Sequence, residues 1–203
     1  MTEPNYLIQF KGSVIARWIL ARLGWRIVWR GLPTQKGIII AFPHTSNWDF
    51  VIGILVKWGI GLPLRFWAKE GLFTGLAKYT LGPWMRYLGA IPVERASANG
   101  MIKDTLVEIE KNDYFWLALS PEGTRSYTPY LRSGFYRVAV AANLPLGLAY
   151  FDYAKKECGV DTFMTLTGVE VTDLASIQAY YAQYGSGFNK TQTGVLQFKP
   201  KAS

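Results

Sequence analysis

The sequence of 203 residues contains one cysteine, Cys158, and one histidine, His44. A single cysteine excludes an intramolecular disulfide and any metal site built from several cysteines. One cysteine and one histidine are also too few for a usual zinc centre, whose ligands are mostly of these two types. We therefore expect no bound metal.

Long apolar runs and a signal peptide are also missing. The longest apolar stretch, residues 50–64, is interrupted by Lys57, three glycines and a proline. It is shorter than the roughly 18 to 20 apolar residues of a membrane-spanning helix, so we expect no transmembrane helix. The first ten residues, MTEPNYLIQF, lack a basic region followed by an apolar core. Cytoplasmic residence is the resulting expectation.

The composition favours an anionic partner. Lys and Arg number 22 against 14 Asp and Glu, a net charge of +8, and the chain has 8 Trp, 12 Tyr and 11 Phe. Such a charge suits nucleic acid, phospholipid head groups or phosphorylated metabolites. The aromatic side chains favour a lipid surface, and no nucleic-acid-binding motif is present. A basic globular protein without a special partner would have the same composition.

Strands and helices alternate along the chain, without repeats, linkers or low-complexity tracts. Helices are predicted at 13–23, 47–58, 75–88 (broken near Gly82 and Pro83), 99–111 and 134–142, and from a cap at Asp173 to Tyr184. Strands are predicted at 25–30, 37–42, 64–68, 90–93, 114–120, 145–151 and 163–171. This alternation predicts a single-domain α/β sandwich over residues 1–203, with helices flanking a mainly parallel central sheet.

The stretch HTSNWD, residues 44–49, follows the predicted buried strand 37–42. One interpretation is a helix cap, with Ser46 and Asp49 forming a capping box and His44 a mere loop residue. The other is a catalytic pair. On one continuous helix His44 and Asp49 would point about 140° apart, but a helix beginning at Ser46 or Asn47 lets His44 fold back toward the Asp49 carboxylate. Asp49 would then fix the tautomer of a general base.

A second polar stretch, SPEGTR at 120–125, follows the predicted buried strand 114–120. Ser, Pro and Gly at these spacings describe an ordinary type I turn. The turn alone does not explain Glu122 and Arg125. Arg125 could grip a phosphate with two parallel hydrogen bonds, and Gly123 permits close backbone approach. Glu122 could accept from a hydroxyl or hold Arg125 in place.

Both stretches come where a buried strand ends. In open α/β sheets, ligands bind beyond the carboxyl ends of the strands. We therefore expect HTSNWD and SPEGTR to face one common site.

These motifs resemble those of the glycerolipid acyltransferase superfamily, which includes the 1-acylglycerol-3-phosphate acyltransferases. His44 and Asp49 match its first motif, His-x4-Asp; GAIPVER, 89–95, is similar to the second; and PEGTRS, 121–126, matches the third. Residues 132–134 and LPLGLAY, 144–150, are similar to later segments, although the second proline of the fourth block is missing. The resemblance covers residues 37–151, the motif-bearing core, and implies the glycerol-3-phosphate acyltransferase-like fold.

The resemblance implies an O-acyltransferase of phospholipid biosynthesis. His44, oriented by Asp49, would deprotonate an acceptor hydroxyl that attacks acyl-CoA or acyl-carrier protein, a co-substrate, with no other cofactor. Glu122, Gly123, Thr124, Arg125 and Arg95 would hold the acceptor. That acceptor would be lysophosphatidic acid, making phosphatidic acid, or a related lysolipid such as a lyso-ornithine lipid. The competing hypothesis of another class is a non-catalytic lipid or nucleic-acid binder, although no nucleic acid is expected as a partner.

Residues 1–30 form a candidate membrane-surface segment. Five basic residues alternate there with three tryptophans and several aliphatic side chains. Such a segment could lie on an anionic leaflet without crossing it, placing the protein peripherally on the inner face of the cell membrane. The alternative is a core helix followed by an edge strand.

Overall fold

A seven-stranded sheet forms the centre of the computed structural model, which describes residues 6–93, 98–126, 128, 130–184 and 196–198. The strands are β1 (Arg26–Trp29), β2 (Lys36–Ala41), β3 (Leu64–Lys69), β4 (Ala90–Val93), β5 (Phe115–Leu119), β6 (Leu146–Asp152) and β7 (Glu157–Met164). Their order across the sheet is β1-β7-β6-β2-β5-β3-β4. Within the described strands only the β6–β7 pair is antiparallel. The predicted α/β architecture with a mainly parallel sheet is confirmed.

Six α-helices are found in the described residues. They are α1 (Val14–Arg22), α2 (Asn47–Ile60), α3 (Leu81–Tyr87), α4 (Ala98–Lys111), α5 (Gly134–Ala141) and α6 (Glu170–Tyr181). Helices α4, α5 and α6 contribute to one buried apolar cluster, and α1 and α2 contribute to clusters on the other face of the sheet.

Strand β2 shows why the sheet is buried on both faces. Its sequence KGIIIA is β-branched and apolar without alternation, as in a central parallel strand. Ile38 and Ile40 enter the cluster with α4–α6, whereas Ile39 faces the opposite cluster, because successive side chains of a strand point to opposite faces. Since β2 lies between β5 and β6 and runs parallel to both, the carboxyl ends of all three strands meet at one edge.

The strand predicted at 163–171 is wrong in its position. The observed strand β7 covers Glu157–Met164 and forms an antiparallel hairpin with β6 through a turn at 153–156. Lys156 adopts a positive φ of 49° in this turn, a conformation that is usually found at glycine or asparagine. The sequence offers neither residue there, so the hairpin was not recognised.

The helix predicted at 75–88 is interrupted at a different place from the one expected. A 3-10 turn at Gly75–Lys78 is followed by α3 from Leu81 to Tyr87. Gly82 and Pro83 lie in the first turn of α3, where a missing proline N–H leaves no intrahelical bond unmade.

Asp173 does not cap the last helix as predicted. Helix α6 begins at Glu170, which places Asp173 in its first turn. The buried Asp173 carboxylate accepts hydrogen bonds from the N–H groups of Thr167 and Gly168 and from the Tyr136 hydroxyl. It therefore fixes the loop before the helix, rather than the helix end itself.

The segment from α1 to β1 takes part in the core. Ala16 and Leu20 of α1 are buried, and β1 pairs with β7 at the sheet edge, as in the alternative of a core helix and an edge strand. The other side of α1 exposes Val14, Ile15 and Trp18 by 61 to 71%. In the described part of the chain, no helix is long and apolar enough to cross a membrane.

Candidate active site

The loop between β2 and α2 brings His44 and Asp49 together. Ser46 is the N-cap of α2: its hydroxyl accepts from the Trp48 N–H at 3.1 Å, and the Asp49 carboxylate accepts from the Ser46 N–H at 2.9 Å. This capping box turns the Asp49 side chain back toward the loop. As a result, Asp49 Oδ2 lies 3.1 Å from His44 Nδ1. The sequence left two interpretations of HTSNWD open, a helix cap and a His–Asp pair. The structure contains both, because the cap itself brings Asp49 to His44.

The Asp49 carboxylate is almost fully buried, with 2% of the residue exposed. Its Oδ2 also accepts from the Thr45 N–H at 2.7 Å, and its Oδ1 accepts from the Tyr153 hydroxyl. Burial by itself raises the pKa of Asp49, but the hydrogen bonds from His44, Tyr153, Ser46 and Thr45 together outweigh it and lower the pKa below its ordinary value. Asp49 is therefore ionised at neutral pH.

An ionised Asp49 determines the tautomer of His44. A carboxylate can only accept, so the hydrogen between the two side chains belongs to His44 Nδ1. In the neutral imidazole, Nε2 then carries the lone pair that can take a proton. The His44 side chain is 24% exposed, so a substrate hydroxyl can reach it from outside.

Glu122 joins the two sequence motifs. Its Oε2 accepts from the backbone N–H of His44 at 2.6 Å and lies 3.5 Å from the Ser120 hydroxyl. Residues 78 positions apart in the chain thus meet at one edge of the sheet, as the strand order requires. Glu122 is only 4% exposed, so its carboxylate holds the two loops together from inside the protein.

Burial also changes the acidity of Glu122. Removal from water raises its pKa to about 7, despite the hydrogen bond from the His44 N–H, which acts in the opposite direction. Glu122 therefore changes its protonation state near neutral pH. The two carboxyls of the site differ: Asp49 is held as an anion by four donors, whereas Glu122 has fewer donors and retains its proton more readily.

Gly123 has a backbone conformation that its residue type explains. Its φ is +66°, in the left-handed region that favours glycine. A Cβ at this position would lie 2.5 Å from Nε of Arg132, so the Arg132 guanidinium packs directly on the glycine. Arg132 also donates its backbone N–H to the Pro121 carbonyl at 2.7 Å. A second arginine therefore accompanies the PEGTR loop.

Of the three remaining predicted site residues, the structure describes two, Thr124 and Arg125. Thr124 and Arg125 lie exposed on the PEGTR loop, and the Thr124 hydroxyl accepts from the Ser126 N–H at 3.2 Å. Arg95 lies outside the described residues. Among the residues that are described, no three His, Cys, Asp or Glu side chains are grouped so that they could hold a metal ion.

Two residues of this edge, Tyr153 and Arg132, were not among the predicted site residues. Tyr153 follows β6, which lies beside β2 in parallel. The rule that ligands bind beyond strand ends would have included it, had the order of the strands been known. Arg132 belongs to the segment 132–134, which is similar to a later segment of the acyltransferase family. Its contact with Gly123 could not be predicted, because it depends on how the loop from 121 to 133 folds.

Comparison with known proteins identifies the family of this chain and a solved structure with a similar fold. The family profile described as acyltransferase matches residues 26–148, more than half of the chain, and the chain belongs to this family. The 1-acyl-sn-glycerophosphate (LPA) acyltransferase PlsC from Thermotoga maritima has a similar fold. The two share 18% identity with a TM-score of 0.51, and the match covers 81% of this chain and 73% of the other. A comparison with curated proteins gives no significant match.

Proposed function

We propose that this acyltransferase moves a fatty acyl group from a thioester donor, acyl-CoA or acyl-carrier protein, to a hydroxyl of lysophosphatidic acid or a related lysolipid. The observation that carries the proposal is the 3.1 Å contact between His44 Nδ1 and Asp49, beside the PEGTR loop. The activity of the structurally similar PlsC makes lysophosphatidic acid the first acceptor to test.

In the proposed reaction His44 acts as general base. Nε2 takes the proton of the acceptor hydroxyl while its oxygen attacks the thioester carbonyl carbon. The tetrahedral intermediate then expels the thiolate, which recovers the proton from the imidazolium. Asp49 stabilises the imidazolium and holds the ring in one orientation. An ester bond forms, a thioester bond breaks, and His44 returns to its neutral form.

Direct transfer fits the chemistry of Cys158, which is buried in the core. Burial, with a smaller contribution from the neighbouring Glu157 charge, raises the pKa of its thiol to about 12. The protonated thiol is a poor nucleophile, so Cys158 is unsuited to carry the acyl group. The acyl group would pass from donor to acceptor in a single complex, without a cofactor other than the donor.

The phosphate of the acceptor would bind at the PEGTR loop. Arg125 is exposed on this loop, and Arg132 packs against Gly123 beside it. Guanidinium groups bind phosphate oxygens through paired hydrogen bonds. Glu122 would support this arrangement by fixing the loop to the His44 backbone, and Thr124 and Arg95 are further candidates for acceptor contacts.

A lipid acceptor also implies a membrane surface. The outward side of α1 carries Val14, Ile15 and Trp18, and the Arg22 guanidinium lies 5.8 Å from the Trp18 ring centroid. Apolar side chains accompanied by arginine suit the head-group region of an anionic leaflet. We place this face of α1 against the inner leaflet of the cell membrane, with the protein peripheral to it.

The function is tested by product formation. The protein is incubated with acyl-CoA or acyl-carrier protein and a panel of acceptors: lysophosphatidic acid, a lyso-ornithine lipid, other lysophospholipids and an uncharged monoacylglycerol. We expect one diacyl product and one free thiol per turnover with an anionic acceptor, and the same rate for Cys158→Ser. Absence of product with every donor and acceptor would contradict the proposal. Salt-dependent nucleic-acid binding unaffected by His44→Ala would favour a binding protein instead.

The membrane contact is tested with point substitutions, because removing residues 1–30 would also remove β1 and buried core residues. Replacing Ile15 and Trp18 by serine should weaken sedimentation with anionic vesicles. Val171→Ser is the matched control, since Val171 is 80% exposed on α6, a helix of the opposite face. Equal vesicle binding by wild type and the double variant would exclude α1 as the membrane contact.

A further inference from the structure

Tyr153 lies at the same edge of the sheet as the His–Asp pair. It is the first residue after β6, which neighbours β2 on the side away from β5. Its hydroxyl donates to Asp49 Oδ1 at 2.5 Å. The other carboxylate oxygen, Oδ2, faces His44 Nδ1 and the N–H groups of Thr45 and Ser46. The Tyr153 hydroxyl thus hydrogen-bonds to Oδ1, whereas the other three groups contact Oδ2.

The position of the Tyr153 ring is fixed from outside the site. Trp25, which joins α1 to β1, packs edge-on against it with ring centroids 4.9 Å apart and an interplanar angle of 88°. Trp25 is itself only 8% exposed. The Tyr153 ring is half-buried, so this contact restricts the directions in which its hydroxyl can point.

The charges around Tyr153 keep its hydroxyl a donor. Burial, the hydrogen bond to Asp49 and the Asp49 charge all raise the pKa of Tyr153, and the Cys158 side chain acts in the same sense. The other titratable groups of the site are His44, bonded to Asp49, and Glu122, bonded to the His44 backbone. The hydroxyl therefore retains its proton throughout the pH range in which an imidazole base works.

We infer that Tyr153 is a positioning residue for acyl transfer: its hydroxyl fixes the Asp49 carboxylate so that Oδ2 remains directed at His44 Nδ1. The inference rests on the proposed role of His44 as base. Without the hydroxyl, Oδ1 loses its tyrosine donor, and the carboxylate has less to prevent it from rotating away from the imidazole. Orientation of the base by a third group is a general requirement of such pairs.

The test is the variant Tyr153→Phe, which retains the ring against Trp25 and removes only the hydroxyl. We expect kcat to fall roughly 10- to 100-fold, within the range for losing a hydrogen bond to a charged group, while the KM of the acceptor stays unchanged. The acidic limb of the kcat profile should move to lower pH, because a carboxylate turned away from His44 Nδ1 stabilises the imidazolium less.

Tyr150→Phe is the matched control. Tyr150 lies three residues before Tyr153 in the chain. Its hydroxyl donates to the buried Glu157 carboxylate at 2.6 Å, whereas the tyrosine that donates to Asp49 is Tyr153. This variant should lose comparable stability and retain the wild-type kcat and pH profile. If both tyrosine variants lose the same activity, the role of Tyr153 is structural and the inference is wrong.

A double-mutant cycle with Asp49→Asn completes the test. If Tyr153 acts through Asp49, Tyr153→Phe should cost little further activity in the Asp49→Asn background. Equal loss in both backgrounds, or wild-type kcat in Tyr153→Phe, would overturn the inference. The proposed function fails separately, if His44→Ala remains active.

His44 is the only histidine, so selective ¹⁵N labelling of histidine gives one pair of ring signals and a readout independent of turnover. We expect the Nδ1-protonated tautomer in wild type and Tyr150→Phe, and a lower share of it in Tyr153→Phe. Equal tautomer populations in all three proteins would contradict the inference.

Discussion

Replacing Glu122 by glutamine should make the protein gain stability relative to wild type as the pH rises. Burial raises the pKa of Glu122 from 4.5 to about 7, so the folded protein binds this proton more tightly than the unfolded chain does. The contribution of Glu122 to the free energy of unfolding therefore falls as pH rises from about 4.5 to about 7. Glutamine cannot ionise, and its amide oxygen can still accept from the His44 N–H.

The size of the effect follows from the two pKa values. A rise from 4.5 to about 7 corresponds to about 3 kcal/mol in the free energy of unfolding, and most of it develops between pH 5 and pH 8. Below both values Glu122 is protonated in either state, and the difference between wild type and Glu122→Gln becomes independent of pH. The sign is fixed: the glutamine variant gains relative to wild type as pH rises.

The assay is urea unfolding of both proteins at pH 5 and pH 8, with the m-value checked to be equal. Every other ionisable group is common to the two proteins, so their contributions largely cancel in the comparison. Glu110→Gln serves as the control, because Glu110 lies exposed on α4 and should give a difference without pH dependence. A Glu122→Gln difference that is the same at pH 5 and pH 8 would refute the burial argument.

Three further substitutions test other parts of the site. Asp49→Asn should lower kcat by about 10²- to 10⁴-fold, since a neutral amide cannot stabilise the imidazolium. The readout is the rate of product formation, with the acceptor KM unchanged; wild-type kcat would exclude Asp49 from the mechanism. Arg125→Gln should raise the KM of a phosphate-bearing acceptor by about tenfold or more and leave that of the thioester donor unchanged; equal changes in both would contradict a phosphate role. Gly123→Ala should cost about 1 to 2 kcal/mol in unfolding free energy because of its positive φ and because its Cβ would meet the Arg132 side chain. Gly71→Ala, with open space around its Cβ position, should be neutral; equal losses would show that neither the conformation of Gly123 nor its contact with Arg132 matters.

The sequence was most informative where apolar pattern and turn chemistry agree. The run GIIIA predicted a buried strand, Ser46 predicted the start of α2, and both were found within a residue or two. The proximity of His44 to Asp49 followed from the same cap. The placement of the PEGTR loop beside them followed from a general property of parallel sheets.

The sequence failed where a conformation has no residue that marks it. The β6–β7 hairpin turns through Lys156 at positive φ without a glycine, so β7 was expected several residues too late. The contact of Tyr153 with Asp49 depends on that hairpin and on the position of β6 beside β2. Neither can be read from local pattern, because strand order is decided by packing of the whole sheet.

The most direct test of the proposed mechanism is the kcat of His44→Ala against wild type, with lysophosphatidic acid and acyl-CoA or acyl-carrier protein as substrates. The mechanism predicts that the loss of the base lowers kcat by about 10²- to 10⁴-fold, with the variant folded by circular dichroism and its thermal unfolding midpoint close to that of wild type. A folded His44→Ala protein that makes phosphatidic acid at the wild-type rate would contradict it.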